Sequence, residues 1–137
     1  MVVSNNPMVK KELEGTQIPL LWVEGDYELV LTKVRDRVHA GHRIISHPLV
    51  GSIKPYETPY RTVVISDWAD SLHMTSLQTL EQVFSLLNSF KGKDGKLNSL
   101  RTYRDEDLPD LQLIDLDLIK PVMDQGSKEK QDEIDEG

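Results

Sequence analysis

The chain contains no cysteine among its 137 residues. This excludes a disulfide framework, a thiolate zinc site, an iron–sulfur cluster and a cysteine nucleophile. No apolar run approaches the roughly 18 residues that span a bilayer, and residues 1–7 lack the basic and long apolar segments of a secretory signal. We therefore expect a cytoplasmic protein, since a reducing compartment suits a cysteine-free chain.

Positive charge is also scarce, because the formal net charge is −7. Residues 124–137 carry −4 of this total, with six acidic residues against two lysines. An acidic body argues against nucleic acid as a partner, since neutralising phosphates needs many basic side chains on one face. We expect residues 1–123 to form a single α/β domain, and residues 124–137 to be an acidic, disordered tail.

The apolar spacing predicts alternating strands and helices. Strands are predicted at residues 1–4, 19–23, 43–46 and 62–66, and helices at residues 7–14, 27–40 and 76–90. Asp26 is the predicted cap of the second helix, and Gly41 its stop. Thr75 and Gln78 have the spacing of a capping box for the third. Residues 110–123 predict a short extended piece followed by a helix.

This alternation predicts a three-layer, Rossmann-like α/β domain with a mostly parallel sheet of four or five strands, in a 2-1-3-4-like order. Ligands of such sheets bind beyond the carboxyl ends of the strands. The predicted carboxyl ends carry the pairs Asn5-Asn6, Glu24-Gly25 and Ser66-Asp67, and His47. The sequence therefore predicts a polar edge of the sheet at which a ligand could bind.

The predicted connection at residues 47–61 (loop 47–61) is the strongest functional signal. Three prolines within residues 47–60 exclude regular structure, and long ordered loops inside small domains are often functional. The loop carries groups suited to an anion: Gly51, Ser52, Lys54, Thr58 and Arg61. It matches neither nucleotide-binding pattern, Gly-x-x-x-x-Gly-Lys-Ser/Thr or Gly-x-Gly-x-x-Gly. A proline-stiffened structural connection is the alternative interpretation.

Histidines offer two further hypotheses. His39, His42 and His47 could meet as ligands of a transition metal, but His39 and His42 flank Gly41 and share no fixed helical face. We therefore favour ordinary helix-end and turn roles, and expect neither metal nor cofactor. His47 is the candidate general acid or base, with Ser52 a nucleophile only if His47 folds back onto it. No spacing demands catalysis, so we do not expect an enzyme.

Four motifs together resemble the GrdX family. They are Asn5-Asn6-Pro7, Val34-Arg35-Asp36, His39-x-Gly41-His42, and His47-Pro48-Leu49-x-Gly51-Ser52-x-Lys54-Pro55-x-Glu57-Thr58-Pro59-Tyr60. The resemblance covers roughly residues 1–90. Tyr56 departs from it, because the family pattern usually has asparagine there, and the acidic tail is not part of it. The resemblance implies a gene neighbourhood with the glycine, sarcosine and betaine reductases of amino-acid fermentation, without an established activity.

Three hypotheses follow for the function. The first is an accessory protein of the reductase system that binds a small anionic or amino-acid-derived ligand. Its predicted site residues are Asn5, Asn6, His47, Gly51, Ser52, Lys54, Glu57, Thr58 and Arg61. The second is a module that docks on reductase subunits through loop 47–61 and the second helix. The third is an enzyme acting on a small substrate through His47.

Overall fold

The structure, a computed structural model, describes residues 1–49 and 54–128. Within these ranges three short strands form one sheet: β1 (Val2–Ser4), β2 (Leu20–Trp22) and β3 (Thr62–Val64). The α-helices are α1 (Pro7–Glu12), α2 (Tyr27–His39), α3 (Met74–Ser89) and α4 (Leu108–Ile119). Short 3-10 turns lie at Leu97–Leu100, Asp105–Asp107, Lys120–Val122 and Gln125–Ser127.

The sheet is mixed and small, so the predicted Rossmann-like sheet of four or five mostly parallel strands is wrong. The strand order is β2-β1-β3, with β1 parallel to β2 and antiparallel to β3. The predicted third strand, segment 43–46, contributes one isolated antiparallel bridge between Ile44 and Ile65. The predicted 2-1-3-4 order is also wrong, because the predicted fourth strand, now β3, is the neighbour of β1.

The wrong prediction of a mostly parallel sheet has a physical cause in the connection between segment 43–46 and β3. Parallel neighbours need a long crossover, usually a helix, that carries the chain back to the starting edge of the sheet. No helix stands between segment 43–46 and β3 within the described residues. In the structure, β3 runs opposite to both β1 and segment 43–46. The predicted parallel sheet assumed a helical crossover before every strand, and the described residues show none between segment 43–46 and β3.

Helices cover both faces of the sheet. Successive side chains of a strand point to opposite faces, so Val2 and Val3 belong to different hydrophobic clusters. Val3, Val63 and Ile65 pack with α2 and α3, whereas Val2 and Val64 pack with α1 and α4. The sheet is therefore the middle layer. The helices α1 and α2 begin shortly after the carboxyl ends of β1 and β2.

Side-chain caps begin three of the helices. The predicted cap Asp26 is confirmed, because its Oδ1 accepts a hydrogen bond from the Leu29 backbone N at 2.8 Å. Asn6 caps α1 in the same way. The predicted Thr75 capping box is wrong, since α3 begins at Met74 and its cap is His73.

The C-terminal part of the domain is more helical than the sequence pattern indicates. The predicted extended piece near residue 110 is wrong, because α4 is continuous from Leu108 to Ile119. Its buried positions are Asp115, Leu116 and Ile119, at helical spacing, whereas Leu113 is exposed.

Residues 124–128 of the predicted tail lie within the described ranges. The Gly126 carbonyl accepts a hydrogen bond from the Asp67 backbone N at 2.7 Å, and the Lys128 carbonyl accepts one from Trp68 Nε1 at 2.6 Å. The rest of that prediction, residues 129–137, falls outside them. No helix in the described ranges is both long and apolar enough to cross a bilayer.

Candidate ligand cleft

Asn5 joins three segments at the edge of the sheet where β1 and β2 end. Its Nδ2 donates to the Gly25 carbonyl at 3.0 Å and to the Pro59 carbonyl at 2.8 Å. Its Oδ1 accepts from the Arg61 backbone N at 2.9 Å. Both amide hydrogens and the amide oxygen are therefore used within the protein. The side chain holds the turn before α2 against the end of loop 47–61.

Asn6 belongs to a buried polar network that faces α4. Its Nδ2 donates to Asp115 Oδ2 at 3.0 Å and to the Gln112 carbonyl at 2.8 Å, while its Oδ1 caps α1. Asp115 Oδ2 also accepts from Thr62 Oγ1 at 2.6 Å, and the Thr62 hydroxyl meets that of Ser4 at 2.8 Å. Every member of the network other than Gln112 is buried. The network binds α4 to the sheet beside Asn5.

Arg61 lies inside the protein rather than on the surface of its loop. Its side chain is 2% exposed, and its guanidinium carbon lies 5.1 Å from the centre of the Tyr27 ring. Tyr27 is equally buried at 2% exposure, as the first residue of α2. Cation and ring therefore stack beneath the N-terminal end of that helix.

The Tyr27 hydroxyl is buried without a hydrogen-bond partner in the described part of the chain. Burial raises the pKa of this phenol above its usual value; the positive charge of Arg61 opposes the rise and the charge of Asp115 adds to it. The phenol therefore stays protonated at neutral pH, and its O–H can donate a hydrogen bond. Buried polar groups are nearly always paired, so an unpaired donor of this kind calls for an explanation.

Tyr27 lines a cleft of about 290 Å³, which we call the Tyr27 cleft. Its other lining residues are Asp26, Pro55, Tyr56, Thr58, Pro59, Leu97, Arg101 and Tyr103. Thr58 is buried, and its Oγ1 accepts from the Tyr60 backbone N at 3.2 Å. Among the described residues its own hydroxyl proton has no acceptor. Two buried residues with a hydroxyl proton that lacks a described acceptor thus line one cleft.

Residues 97–103 form the outer wall of this cleft. The Thr102 backbone N donates to the Tyr56 carbonyl at 3.2 Å, which joins this wall to loop 47–61. The Arg101 guanidinium lies 4.4 Å from the Tyr103 ring centre and pairs with Asp105. Burial, as the largest cause, raises the pKa of Tyr103. The mouth of the cleft therefore carries both a guanidinium and, at Asp26, a carboxylate.

The remaining predicted site residues are dispersed or lie outside the described ranges. Lys54 is exposed, and its backbone N donates to Glu57 Oε1 at 2.9 Å in a local turn. His47 is exposed, and its Nδ1 accepts from the Leu49 backbone N at 3.1 Å. Gly51 and Ser52 fall in residues 50–53, outside the described part. Of the predicted set, Thr58 lines the Tyr27 cleft, and Asn5 and Arg61 support its walls.

Sequence reasoning missed Tyr27 and the outer wall. Tyr27 occupies a core-facing position of α2, where only its hydroxyl distinguishes it from an apolar side chain. A tyrosine in an apolar stripe was the available signal, because its O–H needs a partner when it is buried. Arg101 and Tyr103 offered no comparable signal, since they lie 40 residues or more from Thr58 in a polar stretch without periodicity.

The histidines are not gathered into a cluster. His42 is buried, with its Nδ1 2.7 Å from the Ser66 carbonyl, so that the ring nitrogen donates. His39 is exposed at the end of α2. Within residues 1–49 and 54–128, no group of three histidine or carboxylate side chains is placed to hold a metal.

The fold and the cleft define a small protein in which helices flank a mixed sheet, with a candidate small-molecule site at one edge of that sheet. The chain belongs to the GrdX family, because the family model described as GrdX-like protein matches residues 1–124. The resemblance in the sequence is therefore confirmed, and the match extends beyond residue 90 to include α4. No curated protein and no solved structure matches the chain.

Proposed function

We propose that the protein is an accessory protein of glycine, sarcosine or betaine reductase systems that binds a small anionic or amino-acid-derived ligand in the Tyr27 cleft. Membership of the GrdX family supports the association with the reductases. The loop that the sequence singles out supports the location, since Pro55, Tyr56, Thr58 and Pro59 of loop 47–61 line the cleft. Reductase subunits are the proposed partners.

The unpaired Tyr27 hydroxyl is the observation that carries the proposal. A buried donor without an acceptor costs about 1–3 kcal/mol, and a ligand oxygen in the cleft would remove that cost. Thr58 provides a second donor of the same kind. The Arg61 guanidinium behind the Tyr27 ring and the N-terminal end of α2 both favour negative charge at this position. A carboxylate or phosphate oxygen therefore suits the inner end of the cleft.

The mouth of the cleft suits the rest of an amino-acid-derived ligand. Its walls include the aromatic residues Tyr56 and Tyr103, and aromatic faces attract alkylated ammonium groups. The Asp26 carboxylate lies at the same mouth, where it favours positive charge. Asn5 is proposed to position the two walls rather than to contact the ligand, because its amide is fully bonded to Gly25, Pro59 and Arg61.

A pair of tyrosine variants tests the proposal. Thermal unfolding would be measured with acetate, phosphate, acetyl phosphate, glycine, sarcosine and betaine. A ligand at 100 times its Kd stabilises the wild type by about 2.7 kcal/mol, which raises Tm by roughly 8 °C in a domain of this size. Tyr27→Phe removes an unpaired donor, so it should leave Tm unchanged or slightly higher without ligand. It should also abolish the ligand-dependent rise.

Tyr60→Phe is the matched control. The Tyr60 hydroxyl accepts from Gln112 Nε2 at 2.7 Å, and Tyr60 does not line the cleft. This variant should lose about 1 kcal/mol of stability and keep the ligand response. A wild-type Tm that responds to none of the compounds would contradict the proposal and favour docking on reductase subunits instead. An equal ligand-dependent rise of Tm in Tyr27→Phe would show that the ligand does not bind in the Tyr27 cleft.

A further inference from the structure

His73 joins the start of α3 to segment 43–46 through Ser76. The His73 side chain caps α3, because the Ser76 backbone N lies 3.3 Å from His73 Nδ1. The Ser76 hydroxyl oxygen lies 2.7 Å from the same nitrogen. That oxygen also accepts a hydrogen bond from the Ile44 backbone N at 3.0 Å. The start of α3 and segment 43–46 therefore meet at one buried serine hydroxyl.

The donors determine the protonation state of the imidazole. The Ser76 backbone N–H can only donate, so His73 Nδ1 must accept from it. The Ser76 hydroxyl accepts from Ile44 and directs its own proton to the same nitrogen. His73 is therefore neutral, with its proton on Nε2. A proton added to Nδ1 would face the Ser76 N–H and would leave the buried hydroxyl proton without an acceptor.

The surrounding charges disfavour that added proton. Burial lowers the pKa of His73 below its usual value, and the nearby guanidinium of Arg43 lowers it further. The first turn of α3 has no acidic residue, and its N-terminal end is itself positive. In the preceding segment, Asp67 is paired with the N-terminal ammonium, and Asp70 bonds through its backbone N to the Gly41 carbonyl. The neighbouring His42 donates to the Ser66 carbonyl.

We propose that His73 is a proton-sensitive clasp that holds α3 to segment 43–46 when neutral and releases it when protonated. The release is local. Segment 43–46 has its own bonds to the region of β3, in which the Ile45 and Ser46 backbone N atoms donate to the Val64 carbonyl at 2.8 and 3.1 Å. These bonds do not involve His73. The clasp acts at the head of loop 47–61, and it does not depend on ligand binding in the Tyr27 cleft.

Linkage gives the direction of the effect on stability. The unfolded chain has an ordinary histidine pKa near 6.5, and the pKa of His73 in the folded protein lies below that value. As the pH falls below about 6.5, the unfolded chain therefore takes up a proton before the folded protein does. The contribution of His73 is fully present above this pH and is lost as the pH falls toward the folded pKa.

Amide hydrogen exchange, followed by NMR on the full chain between pH 8 and pH 5, tests the clasp. The protection factor of Ile44 should fall about fivefold at the low end, the factor that corresponds to one typical hydrogen bond. The protection factors of Ile45 and Ser46 should stay constant and serve as the internal control. His73→Asn keeps a capping side chain that does not titrate, so Ile44 should become insensitive to pH.

Three results would overturn the clasp. They are a constant protection factor at Ile44 in the wild type, an equal fall at Ile45 and Ser46, or the same fall in His73→Asn. A second measurement does not require any variant to fold. The imidazole nitrogen shifts of the wild type at pH 8 should show the proton of His73 on Nε2, and a proton on Nδ1 would contradict the proposal.

Discussion

Asp115→Ala is expected to lower the free energy of unfolding by about 3 kcal/mol. The substitution removes the carboxyl oxygen that accepts from both Thr62 Oγ1 and Asn6 Nδ2. Both donors are buried and would be left without that acceptor. Since Asp115 stands on α4 and Thr62 on β3, the helix would also lose its polar attachment to the sheet. Thermal unfolding should show Tm lower by roughly 10 °C.

Asp117→Ala is the control for this prediction. Asp117 lies two residues further along α4, is exposed, and takes no part in the hydrogen bonds that Asn6 and Thr62 make with described residues of α4. Its removal should change stability by less than about 0.5 kcal/mol, as is usual for surface sites. Similar values of Tm for the two variants would mean that the buried network contributes little. Asp115 would then be a tolerated polar residue.

Gly41→Ala is expected to destabilise the protein by about 4 kcal/mol, through backbone strain and overpacking together. Gly41 has a φ of 108°, a conformation that side chains rarely adopt. A Cβ atom there would also overlap the backbone carbonyl of Asp70, whose own N–H donates to the Gly41 carbonyl at 3.0 Å. Two backbone segments therefore approach too closely for any side chain. Chemical denaturation would measure the decrease in the free energy of unfolding.

Gly15→Ala separates strain from overlap. Gly15 has a φ of 78°, but a Cβ atom there would meet nothing within 4 Å. This variant should cost only about 1 kcal/mol, the penalty for a side chain in the left-handed region. Equal losses for the two variants would show that close approach to Asp70 does not matter. The turn at Gly41 would then tolerate a side chain as well as any exposed turn does.

The helices α1 and α2 follow from capping residues and apolar spacing that are visible in the local sequence. Asp26 precedes an apolar stripe of helical spacing, and the structure has α2 capped by that carboxylate. Pro7 stands at the start of α1. A capping signal gave the wrong start for α3. Thr75 and Gln78 have capping-box spacing, but the cap of α3 is His73. A histidine cap is rarer, and its role depends on the position of Ser76 and Ile44 in space.

The candidate site was predictable as a region but not as a set of contacts. Polar residues after β1 and the proline-rich loop 47–61 indicated the edge of the sheet at which the Tyr27 cleft lies. Thr58 and Arg61 were named from their types alone. In the structure, Arg61 is buried against the Tyr27 ring. The Asn5 side chain hydrogen-bonds the turn before α2 and the end of loop 47–61. Hydrogen-bonding capacity is visible in a sequence, whereas the partners that use it are not.

The sequence by itself determined the family and the helices α1 and α2, because these depend on motifs and on spacing along the chain. Only the tertiary structure decided the direction of β3, since spacing along the chain does not record whether a strand pairs parallel or antiparallel with its neighbour. It also decided that Tyr27, Thr58 and Tyr103 share one cleft. Such a site is assembled by the packing of distant segments, and no local pattern records which of them will meet.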